Sequence, residues 1–178
     1  MKAVVTRHQS KHHTGYLTDV ELSKPVAGDY DLLVRVEAIS VNPVDTKVAT
    51  SETSNNKIGR VLGWDASGTV EEVGSMVTRF KPGDEVYYAG DIRRPGSNSE
   101  FQLVDERITG FKPALISFDE AAALPLTSLT AWESLFDRIN IDPKGANKNQ
   151  FILIIGGAGG VGSIAIQLAN LPAPSTSS

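Results

Sequence analysis

The stretch that decides the fold is 151-FILIIGGAGGVGSIAIQLAN-170. Residues 151–155 contain no polar side chain, as expected of a central parallel strand covered on both faces. The glycines that follow, Gly157-Ala158-Gly159-Gly160-Val161-Gly162, have GxGxxG spacing between that strand and a small-residue amphipathic stretch. In such a turn Gly157 serves the tight bend and Gly159 lets the backbone approach a pyrophosphate. Gly162 lets the helix pack closely on the strand. The helix N-terminus offers free N–H groups and a partial positive charge to the phosphates. The bare pattern is common, but strand–turn–helix flanks favour a dinucleotide-binding turn over a purely structural one. Gly157, Ala158, Gly159, Gly160, Val161 and Gly162 are the expected cofactor-binding residues.

Beyond the turn, Pro172 and Pro174 are expected to end the helix near Leu171. Residues 172–178 then read as a disordered tail. The residue that distinguishes a ribose 2′-hydroxyl from a 2′-phosphate lies ~20 residues past such a turn. NADPH is the expected cofactor, with NADH the alternative.

Upstream, the texture is strand and turn. Residues 2–6 are a short β-rich run. Residues 31–41 alternate, with Leu32, Val34, Val36, Ala38 and Ser40 on the apolar face and Leu33, Arg35, Glu37 and Ile39 on the other. Residues 68–73 read as a strand closed by Gly74. The turn Pro82-Gly83-Asp84 feeds a strand over 85–88, and 100–104 is another. Short strands at this spacing suggest a small barrel or sandwich. From Ser117 the chain turns helical. Ser117 is the expected N-cap, with Asp119 and Glu120 in the first turn. Pro125 interrupts, and Thr127 or Ser128 caps a second helix in which Leu129, Trp132, Leu135, Phe136 and Ile139 keep helical spacing. Residues 140–150 form a polar linker.

Of the 178 residues, 40% are hydrophobic and 21% charged, the make-up of ordinary globular material. A formal net charge of −4 argues against nucleic acid or an anionic membrane as the main partner. There is no cysteine, which excludes disulfides and thiolate metal sites and fits a reducing compartment. The first residues turn polar too quickly for a signal peptide, and no apolar run approaches the ~20 residues of a membrane span. A soluble cytoplasmic protein is expected.

Four stretches occur together: "VEAISVNPVDTKV", "VLGWDASGTVEEVGSMVTRFKPGDEVYY", "AAALPLTSLTAWESLFD" and "ILIIGGAGGVGSIAIQLA". In this order they resemble the medium-chain dehydrogenase/reductase superfamily. The likeness is to its quinone oxidoreductases, in the branch called zinc-type alcohol dehydrogenase-like, and it covers nearly all of residues 2–171. The resemblance implies a mainly β fold with α: a GroES-like barrel over 1–125, then a linking helix and the first strand-turn-helix of a Rossmann domain over 126–171. It also implies an active site in the cleft between them.

Zinc-dependent members carry cysteine or histidine ligands where this chain resembles them at Asn42, Trp64 and Leu126. None of these is an ordinary zinc ligand. Asp65 alone is one carboxylate and not a site, so no metal is expected. His8, His12 and His13 cluster in "RHQSKHH" but read as a polar loop after the first strand. By the same resemblance, Asn42 and Asp45 border the nicotinamide and substrate. Asn42 can hydrogen-bond an amide or a carbonyl, and Lys47 can offer a cation to a developing enolate. These three are the candidate catalytic residues. Each also has a plain reading: Asn42-Pro43 as a turn, Asp45 as the cap of a short helix, Lys47 as solvated surface. Thr127 and Thr130 resemble residues near the nicotinamide, and otherwise cap and pack their helix. Tyr88 and Trp64 read as core or wall.

Without a Lewis acid, a hydride acceptor whose charge delocalises is favoured, which points to quinones or enones over simple alcohols. A doubly wound domain needs several βαβ units of ~30 residues or more. Turnover by residues 1–178 alone is therefore not expected, and residues 151–171 are expected to pack on the barrel or pair between chains as a homo-oligomer. The alternative is a stand-alone GroES-like binding or oligomerisation module without catalysis.

Overall fold

In the computed structural model, residues 1–8, 15–51, 59–142 and 150–170 are described. His12, His13, Leu171 and the tail 172–178 lie outside them. The chain divides into two compact units, Met1–Pro125 and Leu126–Ser178.

The first unit is built on two antiparallel sheets. One pairs β1 (Lys2–His8) with β2 (Gly15–Glu21) and with the short β4 (Arg60–Val61). The other has five strands in the order β7-β3-β5-β6-β8. These are β3 (Asp31–Ser40), β5 (Asp65–Val73), β6 (Glu85–Ala89), β7 (Phe101–Asp105) and β8 (Thr109–Phe111). Backbone bonds stitch the sheets together: Val4 N–H donates to Asn98 O (2.8 Å), and Glu100 N–H to Lys2 O (3.0 Å). The main core is Leu32, Val34, Ala66, Val70, Phe80, Val86, Tyr88 and Val104.

The alternation expected in β3 holds for Leu32 and Val34 but fails at Leu33, which is also fully buried. β3 is central, flanked by β5 and β7, and its pairing with β5 slips between Leu33 and Val34. A slip of this kind bends the strand and re-aims its side chains. β5 begins at Asp65, earlier than the 68–73 expected. Gly83 takes φ +93° in the turn before β6, a conformation open to glycine at little cost. β2, β4 and β8 carried no sequence signal strong enough to place them: each is short or polar and takes its extended form from its neighbour's ladder.

The helix expected after Ser117 is α2 (Phe118–Ala122), with a complete capping box: Glu120 N–H donates to Ser117 Oγ, and Ser117 N–H to the Glu120 carboxylate. The next helix, α3 (Pro125–Trp132), corrects the expectation that Pro125 breaks the chain and Thr127 or Ser128 caps it. Pro125 is instead its first residue, where its missing N–H costs nothing and its fixed φ suits the helix. A π-helical segment, Glu133–Arg138, continues it. In the second unit Ala131, Leu135 and Ala165 form the core, with Phe136, Ile154, Ile164 and Leu168 against it. Thus α4 (Gly160–Ala169) finds its apolar contacts within its own unit.

The largest correction concerns residues 151–155, which form no strand. Only Ile154 packs on the core; Phe151 is fully exposed, and Leu153 and Ile155 are 86% and 90% exposed. A strand exists only as one side of a hydrogen-bonded ladder, and no described segment lies beside this one to complete it.

Candidate functional site

In the first unit, the backbone leaves β3 at Ser40 and turns into α1 (Pro43–Ser51) through Asn42. Pro43 occupies the first helical position. Asp45 reaches back so that its Oδ2 accepts the Asn42 N–H at 2.7 Å, while Asp45 N–H donates to Asn42 O at 2.9 Å. This is one half of a capping box, the Asp45 carboxylate holding the Asn42 N–H, while the return bond ends on the Asn42 backbone carbonyl and not on its side chain; Asp45 takes the helix-capping role expected of it in that form. It does not use the whole carboxylate. Asp45 is buried, and its Oδ1 has no hydrogen-bond partner.

Asn42 is buried as well, at 7% exposure. Its Nδ2 donates to Asp65 Oδ2 at 2.8 Å and makes a longer contact, 3.4 Å, to Ser40 O. Asp65 opens β5 directly opposite Ser40 and is fully buried. The sequence singled out Asp65 only as a lone carboxylate. Burial explains the partnership: a carboxylate inside the buried run 61–68 must find a donor. Trp64, beside it, is buried with Nε1 unpartnered. Lys47 is exposed on α1, away from this buried group. Tyr88 is core: burial pushes its hydroxyl pKa up, and it donates to Gln102 Oε1 at 2.9 Å.

Among the described residues, no three His, Cys, Asp or Glu side chains gather to hold a metal. The donor chemistry at Asn42 and Trp64 does not suit zinc, which takes nitrogen from imidazole, sulfur from thiolate or oxygen from carboxylate. The amide of Asn42 is already committed to Asp65.

In the second unit, the glycine turn begins one residue earlier than its spacing suggests. Gly156, not Gly157, takes the left-handed conformation, at φ +74°. Gly159 is the N-cap of α4, its N–H donating to Gly156 O (2.9 Å) and its carbonyl accepting from Ser163 N–H (2.8 Å). No side chain caps this end, so its first-turn N–H groups lack intrahelical partners and remain available to an anion. Gly162 is where the backbone comes closest. A Cβ there would sit 2.7 Å from Gly157 Cα and closer still to Gly156 O. The close packing expected of this glycine is therefore against the turn itself. The uncapped helix start is the feature of the turn that fits a pyrophosphate. Thr127 lies beside it, its Cγ2 being 3.1 Å from where a Gly160 Cβ would stand. Thr130 is exposed and spends its hydroxyl on Leu126 O at 2.7 Å.

A mainly antiparallel GroES-like fold followed by a glycine turn and helix defines the class: the medium-chain dehydrogenases and reductases. Residues 28–130 match the family model of the alcohol dehydrogenase GroES-like domain, and the chain belongs to that family. It is 49% identical over 171 residues to a zinc-type alcohol dehydrogenase-like protein of Staphylococcus aureus, covering 95% of this chain and 51% of the relative. It is 40% identical over 148 residues to a 2-methylene-furan-3-one reductase of Solanum lycopersicum, covering 78% of this chain and 36% of that protein. Among solved structures, it resembles the Escherichia coli quinone oxidoreductase complexed with NADPH. There the TM-score is 0.74 and the identity 29%, over 95% of this chain and 49% of that one. The chain spans about half the length of the Staphylococcus relatives it matches.

Proposed function

We propose that this chain is the N-terminal part of an NAD(P)H-dependent oxidoreductase that works without zinc and reduces quinones or enones. The observation that carries the proposal is the Asn42–Asp65 pair. At a position where zinc-dependent relatives carry a ligand, this chain has a buried amide held by a carboxylate at 2.8 Å. Such a pair offers hydrogen bonds and no Lewis acid. A reduced nicotinamide cofactor, when bound, supplies the hydride.

The protein's task is then to orient and to exclude water. The residues proposed to hold the pyrophosphate are those of the turn, Gly157 to Gly162, through the N–H groups of the α4 first turn. Thr127, beside Gly160, is proposed to border the cofactor; Thr130 has a weaker claim because its hydroxyl is taken. Asn42 is proposed to touch the nicotinamide and the substrate; Asp45, with Oδ1 sealed from solvent and Oδ2 on the Asn42 N–H, is proposed to act only by holding Asn42 in place. Lys47, exposed, is the least supported of the three. The likeness to a furanone reductase and to a quinone oxidoreductase supports an acceptor whose charge delocalises over a conjugated system. NADPH is preferred because the solved quinone oxidoreductase holds it.

The 178-residue chain alone is proposed to bind cofactor weakly and not to turn over. A pyrophosphate turn is one part of a dinucleotide site, and residues 151–155 lack the ladder that would hold it rigid. Exposed Phe151, Leu153 and Ile155 are proposed to drive self-association. The test is a fusion of this chain to the remainder of the Staphylococcus relative, assayed with NADPH on a quinone and, with NADP, on ethanol. Quinone reduction is expected to dominate. Faster ethanol oxidation, or stoichiometric bound zinc in the purified protein, refutes the proposal.

A further inference from the structure

Asn42 can act in two opposite ways, and the structure distinguishes them. A primary amide has a donor end and an acceptor end. Which end is which follows from the hydrogen-bond network, and here the network leaves one solution. The two groups around Nδ2 are Asp65 Oδ2 and Ser40 O, at 2.8 and 3.4 Å. Both are acceptors. Turning the amide over would bring Oδ1 against a buried carboxylate oxygen, acceptor against acceptor, in a site where Asp65 is fully buried. Both amide hydrogens are therefore directed at Asp65 and Ser40. Oδ1 takes no hydrogen bond among the described residues, yet it is absent from the sealed, unpartnered atoms, which are Thr6 Oγ1, Asp45 Oδ1 and Trp64 Nε1. Oδ1 is thus the end of Asn42 that reaches solvent.

We infer that Asp65 is a positioning residue: its carboxylate holds the amide hydrogens of Asn42 and so presents an acceptor, Asn42 Oδ1, to whatever the site binds. The group this atom recognises is a hydrogen-bond donor, and a primary carboxamide such as that of nicotinamide is the chemistry that fits. Asn42 does not donate to a developing enolate, because its hydrogens are spent. The nicotinamide assignment rests on the function proposed above; the orientation of Asn42 does not. Asp45 reinforces the arrangement by holding the Asn42 backbone N–H, which leaves the side chain one rotatable amide to be set by Asp65.

The experiment is hydrogen exchange of side-chain amides by NMR on the 178-residue chain. In the wild type, the Asn42 NH2 is expected to exchange about tenfold or more slowly than a free asparagine amide, as a buried hydrogen bond to a charged acceptor requires. In D65A the acceptor is removed, and Asn42 exchange should rise toward the free rate. Backbone exchange in β5 reports whether the fold is intact. In the swap N42D/D65N, protection should move to the amide at position 65, which a role in mere packing would not produce. Free exchange of the wild-type Asn42 NH2 overturns the inference without any variant. So does unchanged protection in a folded D65A, or a folded swap with an unprotected amide at 65. A protected Asn42 in a chain that shows no NADPH binding upholds the inference and counts only against the cofactor assignment.

Discussion

Replacing Gly162 by alanine tests the glycine turn most sharply, because two opposing effects can be weighed. Alanine favours a helix over glycine by up to ~1 kcal/mol, and less in the first turn. Against this, the new Cβ would stand 2.7 Å from Gly157 Cα and nearer to Gly156 O, where ordinary carbon contacts are ~3.5–4.0 Å. Both obstacles are backbone, so no rotamer relieves them. Overpacking of this kind costs about 1–3 kcal/mol. The net expectation is a loss of about 1–2 kcal/mol in the second unit. G159A is the control: its φ is −79° and its Cβ would meet only Gly156 O, at 3.3 Å. It should cost less than G162A, about 0.5–1 kcal/mol, because alanine is a poorer N-cap than glycine. Trp132, packed against Phe136 with centroids 4.5 Å apart and ring planes tilted by 58°, reports on this unit by fluorescence. A W64F background removes the other tryptophan. With a slope of ~1 kcal/mol per molar urea for so small a unit, G162A should lower the midpoint by about 1–2 M. A midpoint equal to or above wild type would refute the close approach, and with it the account of why glycine stands there.

Other outcomes follow from single contacts. Y88F leaves the buried Gln102 Oε1 without its donor and should cost the first unit about 1–3 kcal/mol in urea unfolding. S117A removes the α2 cap and should cost about 1 kcal/mol by the same measurement; no loss would mean the capping box is not formed in solution. The hydrogen bond from Arg107 holds the Asp105 carboxyl down to about 2. A folded pKa below the unfolded value adds stability that is present above ~pH 4 and is lost as pH falls toward 2. R107Q should raise the Asp105 pKa toward the ordinary carboxylate range by NMR titration, the residue-107 N–H still holding it, and flatten that acid limb, with the difference shrinking in high salt. Finally, F151S/L153S/I155S should abolish concentration-dependent association in size exclusion with light scattering. A wild-type chain that is monomeric at every concentration would count against the proposed self-association.

Local chemistry was legible in the sequence. The Ser117 cap, the Pro82-Gly83-Asp84 turn, the alternation at Leu32 and Val34 and the helix after the glycine cluster each depend on residues within one or two turns of each other. The glycine spacing alone placed the turn and the start of the helix after it. Contacts across the chain were not legible. Gly156 rather than Gly157 takes the positive φ because α4 must dock Gly162 on that backbone. Leu33 is buried because a central strand slips against β5. Asp65 orients Asn42 from 23 positions away, a pairing created by strand register. Residues 151–155 make the point from the other side. Their composition dictates a strand, yet a strand's hydrogen bonds belong to its neighbour, and apolar residues without one stay exposed. The sequence by itself determined which segments can turn and cap. The tertiary structure decided which buried polar groups meet, because burial forces each donor onto an acceptor that only the folded chain brings within reach.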